Sequence, residues 1–351
     1  MTRRTRLIVL GVALALCIAL PWIGIAIPGL FEGGLNSPGT LNLLGLCFVF
    51  GALALTYDLV FGYVGLLSFG HALYFATGVY VTAIALTRWH WSLLAALALT
   101  TVVSIVLPLV LGAVCLRMRD IPFAMVTLAF AQAGSILVMQ NPFGLTGGEE
   151  GLALGADTLP PSLVGVGNTH NLYWIALALL IVLYAIAWRA VNSPPGRVWQ
   201  AIRENERRVG VLGLNPYLYK LGAFVLSAFL ASVTGVVYLL LQGGANPQVT
   251  TADFTLALLV MVVLGGVGTL WGAVLGGVVY EYLDFRLVAL SNTSAVQSLP
   301  GILRVPLSEP LFLLGVLFIV LVLFVPGGLG GALQRRMKPV QSALARSAGR
   351  A

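Results

Sequence analysis

From Leu7 to Ile27 the chain carries no charged residue, and the pattern recurs along its length. Further apolar runs fall at 41–56, 70–87, 92–116, 122–139, 172–188, 221–241, 254–267, 272–283 and 310–325. A bilayer core about 30 Å thick is crossed by about 20 apolar residues in a helix. The runs are continuous rather than alternating, which separates them from the period-two segments of a membrane barrel. Of the 351 residues 59% are hydrophobic and 9% charged, whereas soluble domains carry about 25% charged residues. These features predict an all-α fold: a polytopic transmembrane helical bundle of about ten crossings, forming a single domain over 1–351. The N-terminus has the basic head and apolar body of a signal peptide. The apolar body exceeds the usual length of about 7–15 residues and no A-x-A site follows, so it is read as an uncleaved first crossing. Cys17, Cys47 and Cys115 lie inside apolar runs at no metal-binding spacing, and read as small core residues.

Charge then orients the bundle. With a cytoplasmic N-terminus and ten crossings, all of the 19 basic residues except Arg88, Arg286 and Arg304 fall on the inner side. The C-terminus, with its basic tail 335–351, is then also cytoplasmic. The net charge of +7 is thereby a topology signal, and no nucleic-acid-binding motif accompanies it.

Between the runs, the inner loop 189–219 stands out. Pro194, Pro195 and Gly196 stop the preceding helix, and a second helix is predicted to run to Leu212, closed by Gly213 and Pro216. At 100° per residue, Val198, Ala201, Ile202, Val209 and Leu212 share one arc, with Arg203, Glu204, Glu206 and Arg207 elsewhere. Such an amphipathic helix lies on the membrane surface or in a partner's groove.

The segment FGYVGLLSFGHALYF (61–75) interrupts an apolar region with glycines, a serine and a histidine. Irregular backbone at membrane depth is tolerated only where protein buries it or a cavity is lined by it. The segment therefore reads as a broken or re-entrant helix, with Gly65, Ser68, Gly70 and His71 as candidates for the translocation path. The alternative is a packed crossing in which His71 bonds a neighbouring carbonyl. Asp58 reads as a helix-end charge at the cytoplasmic rim. Gly268, Gly272 and Gly276 form a ribbon of small residues suited to close helix packing.

WQAIRENERRVGVLGLNPYLYKLGAFVLSAFLASVTG (199–235) resembles the cytoplasmic coupling loop of ABC-transporter permeases. GYVGLLSFGHALYFATGVY (62–80), LTGGEEGL (145–152), VMVVLGGVGTLWGAVLGG (260–277) and FVPGGLGG (324–331) are similar to the permeases of branched-chain amino acid importers, of the LivM type. The resemblance covers most of the chain in order. It departs from the pattern at Arg207, Arg208 and Gly210, where the family has small or acidic residues. It implies an inner-membrane permease of a bacterium that moves branched-chain or related hydrophobic amino acids inward by alternating access. The implied partners are a second homologous permease, two cytoplasmic ATPases carrying ATP and Mg, and an extracytoplasmic substrate-binding protein, all within membrane lipid. Residues Val198, Ile202, Glu204, Glu206, Val209, Leu212 and Gly213 are then the ATPase-coupling candidates. Thr146, Gly147, Gly148, Glu149 and Glu150, in the long outer loop 140–171, are the candidates for docking the binding protein.

The chain carries no nucleotide-binding loop and no hydrolase or metalloprotease motif, so no catalytic residue, metal ligand or cofactor is assigned to it. Two other readings fit a polytopic chain: a permease for urea or short amides, and a secondary transporter or channel. Ion-coupled transporters place charges within crossings. Here acids sit mostly in loops or at helix ends, with Glu281 and Asp284 as exceptions near one outer end, which favours an externally powered pump.

Overall fold

The computed structural model describes residues 17–22, 33–163, 168–291, 310–324 and 327–331. Most of the expected first crossing and the whole basic tail lie outside the described residues. Helices begin where the sequence supplies caps. Ser37 accepts from the Thr40 amide and Pro38 opens α1, Pro38–Asp58. Ser92 does the same through Ala95 for α3, Leu93–Cys115, and Asn215 through Tyr217 for α7, Pro216–Gln242. A cap oxygen satisfies one of the amides that a helix start leaves open, and proline at the first position has no amide to lose. The remaining helices are α2 (His71–Thr87), α4 (Asp120–Gln140), α5 (Thr169–Asn192), α6 (Pro194–Val211), α8 (Ala252–Gly265), α9 (Leu270–Ser291) and α10 (Pro310–Phe324).

Among the described residues, five helical segments are long and apolar enough to cross a membrane: Pro38–Val64, α3, α4, α5 and α7. Helices α2 and α8 are apolar but shorter. The core sits on α1 and α7, buried over 89% and 78% of their central windows, against 22% for α3. Around α1 pack α5, α7 and α9; α2 lies along α7. The outward faces of α3 and α4 leave Leu94, Val102, Val110, Ile121 and Met125 exposed. An apolar surface of that extent belongs against lipid rather than water. Of the expected core cysteines, Cys47 and Cys115 are buried and Cys17 is partly so.

Small residues set the helix spacing. A Cβ at Gly78 on α2 would sit 1.9 Å from the Ser232 carbonyl oxygen of α7, so the two backbones are in contact. Gly272 and Gly276 serve α9 against α8 in the same way, with a Cβ at Gly276 falling 2.0 Å from the Met261 carbonyl oxygen. The third member of the expected ribbon, Gly268, lies elsewhere: it occupies the turn between α8 and α9 with φ +78°, outside both helices. A two-residue antiparallel ribbon pairs Leu152 with Ala245 and ties the 140–171 loop to the end of α7.

The contact at Gly78 sets an expectation. Gly78→Ala must push α2 from α7 and should destabilise by about 1–3 kcal/mol. Gly222→Ala, a helical position with open space around it, should be neutral or stabilising by about 0.5–1 kcal/mol. Thermal unfolding midpoints in one detergent check the pair.

Candidate functional site

The interruption at 61–75 is a true break. Helix α1 widens into a π-helical turn, Leu59–Val64, that ends at Gly65 with φ +83°. Residues 65–70 are irregular, and α2 begins at His71. The amides freed by the break find partners on other helices. Phe69 donates to Thr127 Oγ1 of α4 at 3.1 Å, and Ala72 to Thr255 Oγ1 of α8 at 3.1 Å. Gly70 donates to Ser68 Oγ at 3.2 Å, and Tyr57 Oη–H reaches the Ser68 carbonyl at 3.1 Å. Helix α2 has no side-chain cap from its own N-cap residue, Gly70; hydroxyls from α4 and α8 take that role.

Of the candidates for the translocation path, Gly65 is exposed whereas Ser68, Gly70 and His71 are enclosed. His71 Nε2 lies 2.9 Å from Thr56 Oγ1, and the imidazole meets the Tyr57 ring edge-on at 5.2 Å. The ring thus binds α2 to α1 through a threonine hydroxyl, rather than the carbonyl expected for a packed crossing. Asp58 departs further from expectation. It is fully buried rather than rim-exposed, and its Oδ1 accepts from the Gly268 amide at 2.8 Å. The turn at Gly268 is folded inward to supply that donor, which no feature of residues 58–75 announces.

Helix α6 is capped by Ser193, whose Oγ accepts from the Gly196 amide at 3.4 Å. It is not one continuous helix. Asn205 is extended at φ −162°, ψ 99°, and its Oδ1 caps the next turn by accepting from the Arg208 amide at 3.1 Å. The arc drawn from the sequence survives that interruption only in part: Ile202 and Val209, on either side of it, share one buried face, whereas Ala201 and Leu212 are exposed. Ile202 and Val209 are buried against the bundle, 6% and 3% exposed, while Leu212 is 78% exposed and Val198 partly buried. Ile202 and Val209 therefore cannot also enter a partner's groove. Gly213 follows the helix end with φ +81°, in the left-handed conformation that suits glycine.

Three side chains fasten α6 inward. Trp199, 5% exposed, donates through Nε1 to the Tyr219 carbonyl at 3.0 Å. Glu206 pairs with the buried Lys220 ammonium at 2.9 Å. Arg203 Nη1 donates to the Gly62 carbonyl in the π turn. Arg203 and Lys220 escaped the sequence reading because charged residues are counted as outward-facing, and Trp199 because it lies outside the apolar arc drawn from Val198 to Leu212. Glu204 is exposed as that reading requires, but Glu206 is not free for a partner. Outward, the helix end presents Val211 (87% exposed) and Leu212.

In the long loop, Asn141 Oδ1 accepts from the Thr146 and Gly147 amides at 2.9 and 3.0 Å, and Thr146 Oγ1 donates to the Val138 carbonyl at 2.7 Å. Thr146 and Gly148 are buried and hold the loop's shape, and Gly147, φ +78°, packs on the Gly151 carbonyl. Glu149 and Glu150 are exposed, and Phe143 is 98% exposed at the same end.

A family model described as a permease component of the branched-chain amino acid transport system matches residues 39–325. The chain belongs to that permease family. It is 29% identical over 268 residues to the high-affinity branched-chain amino acid transport system permease protein LivM of Salmonella typhimurium, covering 69% of this chain. The LivM of Escherichia coli K12 is 28% identical over 264 residues. The matched part spans 62% of the length of both LivM proteins. The LivH permease protein of Escherichia coli K12 is 27% identical over 266 residues, covering 68% of this chain and 81% of LivH. No solved structure gives a significant match. With the apolar helices, these relatives make the chain a multi-pass inner-membrane permease.

The ion pair at the foot of the permease gives a second expectation. Glu206→Leu leaves the Lys220 ammonium buried without a partner and should cost about 1–3 kcal/mol. Adding Lys220→Met should restore most of it, read by unfolding midpoints of both variants.

Proposed function

We propose that the chain is one permease subunit of an ATP-driven importer of branched-chain or related hydrophobic amino acids. The family match carries this reading, and the geometry of α6 supports it. A helix fastened inward by Trp199, Arg203 and Glu206 while exposing Val211 and Leu212 is built to receive a push at its outer face. In this reading α6 and its flanks, 189–219, form the cytoplasmic coupling loop and both termini are cytoplasmic, an orientation that the distribution of basic residues supports. ATP and Mg act on two separate ATPase subunits, and a second homologous permease completes the pathway. Glu149, Glu150 and Phe143 form the outer surface offered to a substrate-binding protein.

The corrected arc moves the contact. Leu212, not Ile202, meets the ATPase, and Glu204 is exposed on the same helix. Burying a leucine contributes about 1.5–3 kcal/mol, so Leu212→Asp should weaken ATPase association by about ten-fold or more. Ile202→Asp should instead lower the stability of the permease itself. Co-purification with the ATPases and unfolding midpoints separate the two effects. A Leu212→Asp permease that retains its ATPases and transports normally sinks the docking assignment. Proteoliposomes holding the assembled complex and binding protein should take up leucine only with internal ATP. Uptake of urea instead, or uptake driven by an ion gradient without ATP, overturns the substrate or the class respectively.

A further inference from the structure

Asp58 carries an unspent acceptor at the centre of the molecule. Its residue is fully buried, Oδ1 is taken by the Gly268 amide, and Oδ2 has no partner. A buried carboxylate without compensation is costly, and is kept where a positive group stands close or arrives. A guanidinium has five donors, and Arg203 Nη1 is on the Gly62 carbonyl, one helical turn beyond Asp58. Two glycines hold the space between them open. A Cβ at Gly62 would fall 2.0 Å from Asp58 Oδ1, and one at Gly268 would fall 2.8 Å from Arg203 Nη1. The stem of Arg203 lies over the start of the break, with Cγ 3.0 Å from a Cβ built at Gly65.

We propose that Asp58 and Arg203 are a positioning pair that carries displacement of α6 into the bundle, Arg203 exchanging the Gly62 carbonyl for Asp58 Oδ2 as α6 moves. The exchange links three elements. Arg203 belongs to α6, Gly62 to the π turn that leads into the break, and the Gly268 amide held by Asp58 to the turn that starts α9. A shift of α6 therefore reaches both the break and α9 through one carboxylate. Both ends of the exchange are hydrogen-bonded positions for the guanidinium, so neither leaves its charge unpartnered. This rests on the reading of α6 as the element that meets the ATPases.

The test uses the permease assembled with its ATPases in proteoliposomes with binding protein, and reads leucine molecules moved per ATP hydrolysed. Arg203→Gln removes the charge and the guanidinium's reach at an exposed residue while keeping a polar side chain. Asp58→Asn keeps an oxygen for the Gly268 amide. Each should lower leucine moved per ATP by about five-fold, the scale of one interacting pair. The double variant should fall no further than the worse single, and Arg203→Lys should recover at least half. A merely structural role lowers the amount of assembled complex and leaves transport per ATP unmoved. Arg203→Gln at the wild-type ratio, or losses that multiply in the double variant, overturns the proposal while leaving the α6 reading in place. A wild-type permease that binds no ATPase, or moves no leucine, brings down both.

Discussion

A helix broken inside an apolar bundle must find a protein partner for every amide and carbonyl it releases, because no water is at hand to take them. That constraint organises this permease. The break between Val64 and His71 is held by hydroxyls of Thr127 and Thr255, which belong to α4 and α8. The carbonyls of Ser68 and Gly62 are taken by Tyr57 and Arg203. One short irregular stretch thereby fixes the relation of five helices. A change in any of them reaches the same few hydrogen bonds.

The same economy of partners explains why α6 is attached as it is. A surface helix could hold to the bundle by apolar contact alone, and Ile202 and Val209 do provide that. Apolar contact is non-directional, however, and permits sliding. The Trp199 and Glu206 bonds add direction, and Arg203 adds a contact to backbone that itself belongs to the break. Packing deeper in the bundle follows a different rule. Where α2 meets α7 and α8 meets α9, glycines allow backbones to touch, so those pairs are steeply resistant to compression. Stiff glycine-packed pairs joined through a hydrogen-bonded break suit a machine that moves by changing a few polar contacts.

The corrected arc of α6 shows where sequence periodicity stops. The wheel assumed a constant 100° per residue from Val198 to Leu212. One extended residue, Asn205, breaks the helix, and Leu212 lies past its end at Val211, so the exposed Leu212 leaves the face that Ile202 and Val209 keep buried. Asn205 announces itself only by being a residue that caps helices well. Charged side chains misled in a similar way. Arg203 and Glu206 were placed off the apolar arc because charge is normally outward, yet Arg203 reaches the Gly62 carbonyl and Glu206 pairs with the buried Lys220.

By itself the sequence determined the class of fold: its long uncharged runs admit helices in a bilayer, because only internal hydrogen bonding is available there. It also marked the break, since Gly65 and Gly70 cannot sustain a helix as well as their neighbours, and it marked the boundaries of α6 at Pro194–Gly196 and Gly213. Only the tertiary structure decided what fills the break. The partners of Phe69, Ala72, Asp58 and Gly62 come from residues 58 to 210 positions away, namely Thr127, Thr255, Gly268 and Arg203. Hydrophobic period and capping are local properties that a linear pattern carries. The pairing of a buried carboxylate with a distant amide depends on how helices cross, and that is set by the packing of the whole bundle.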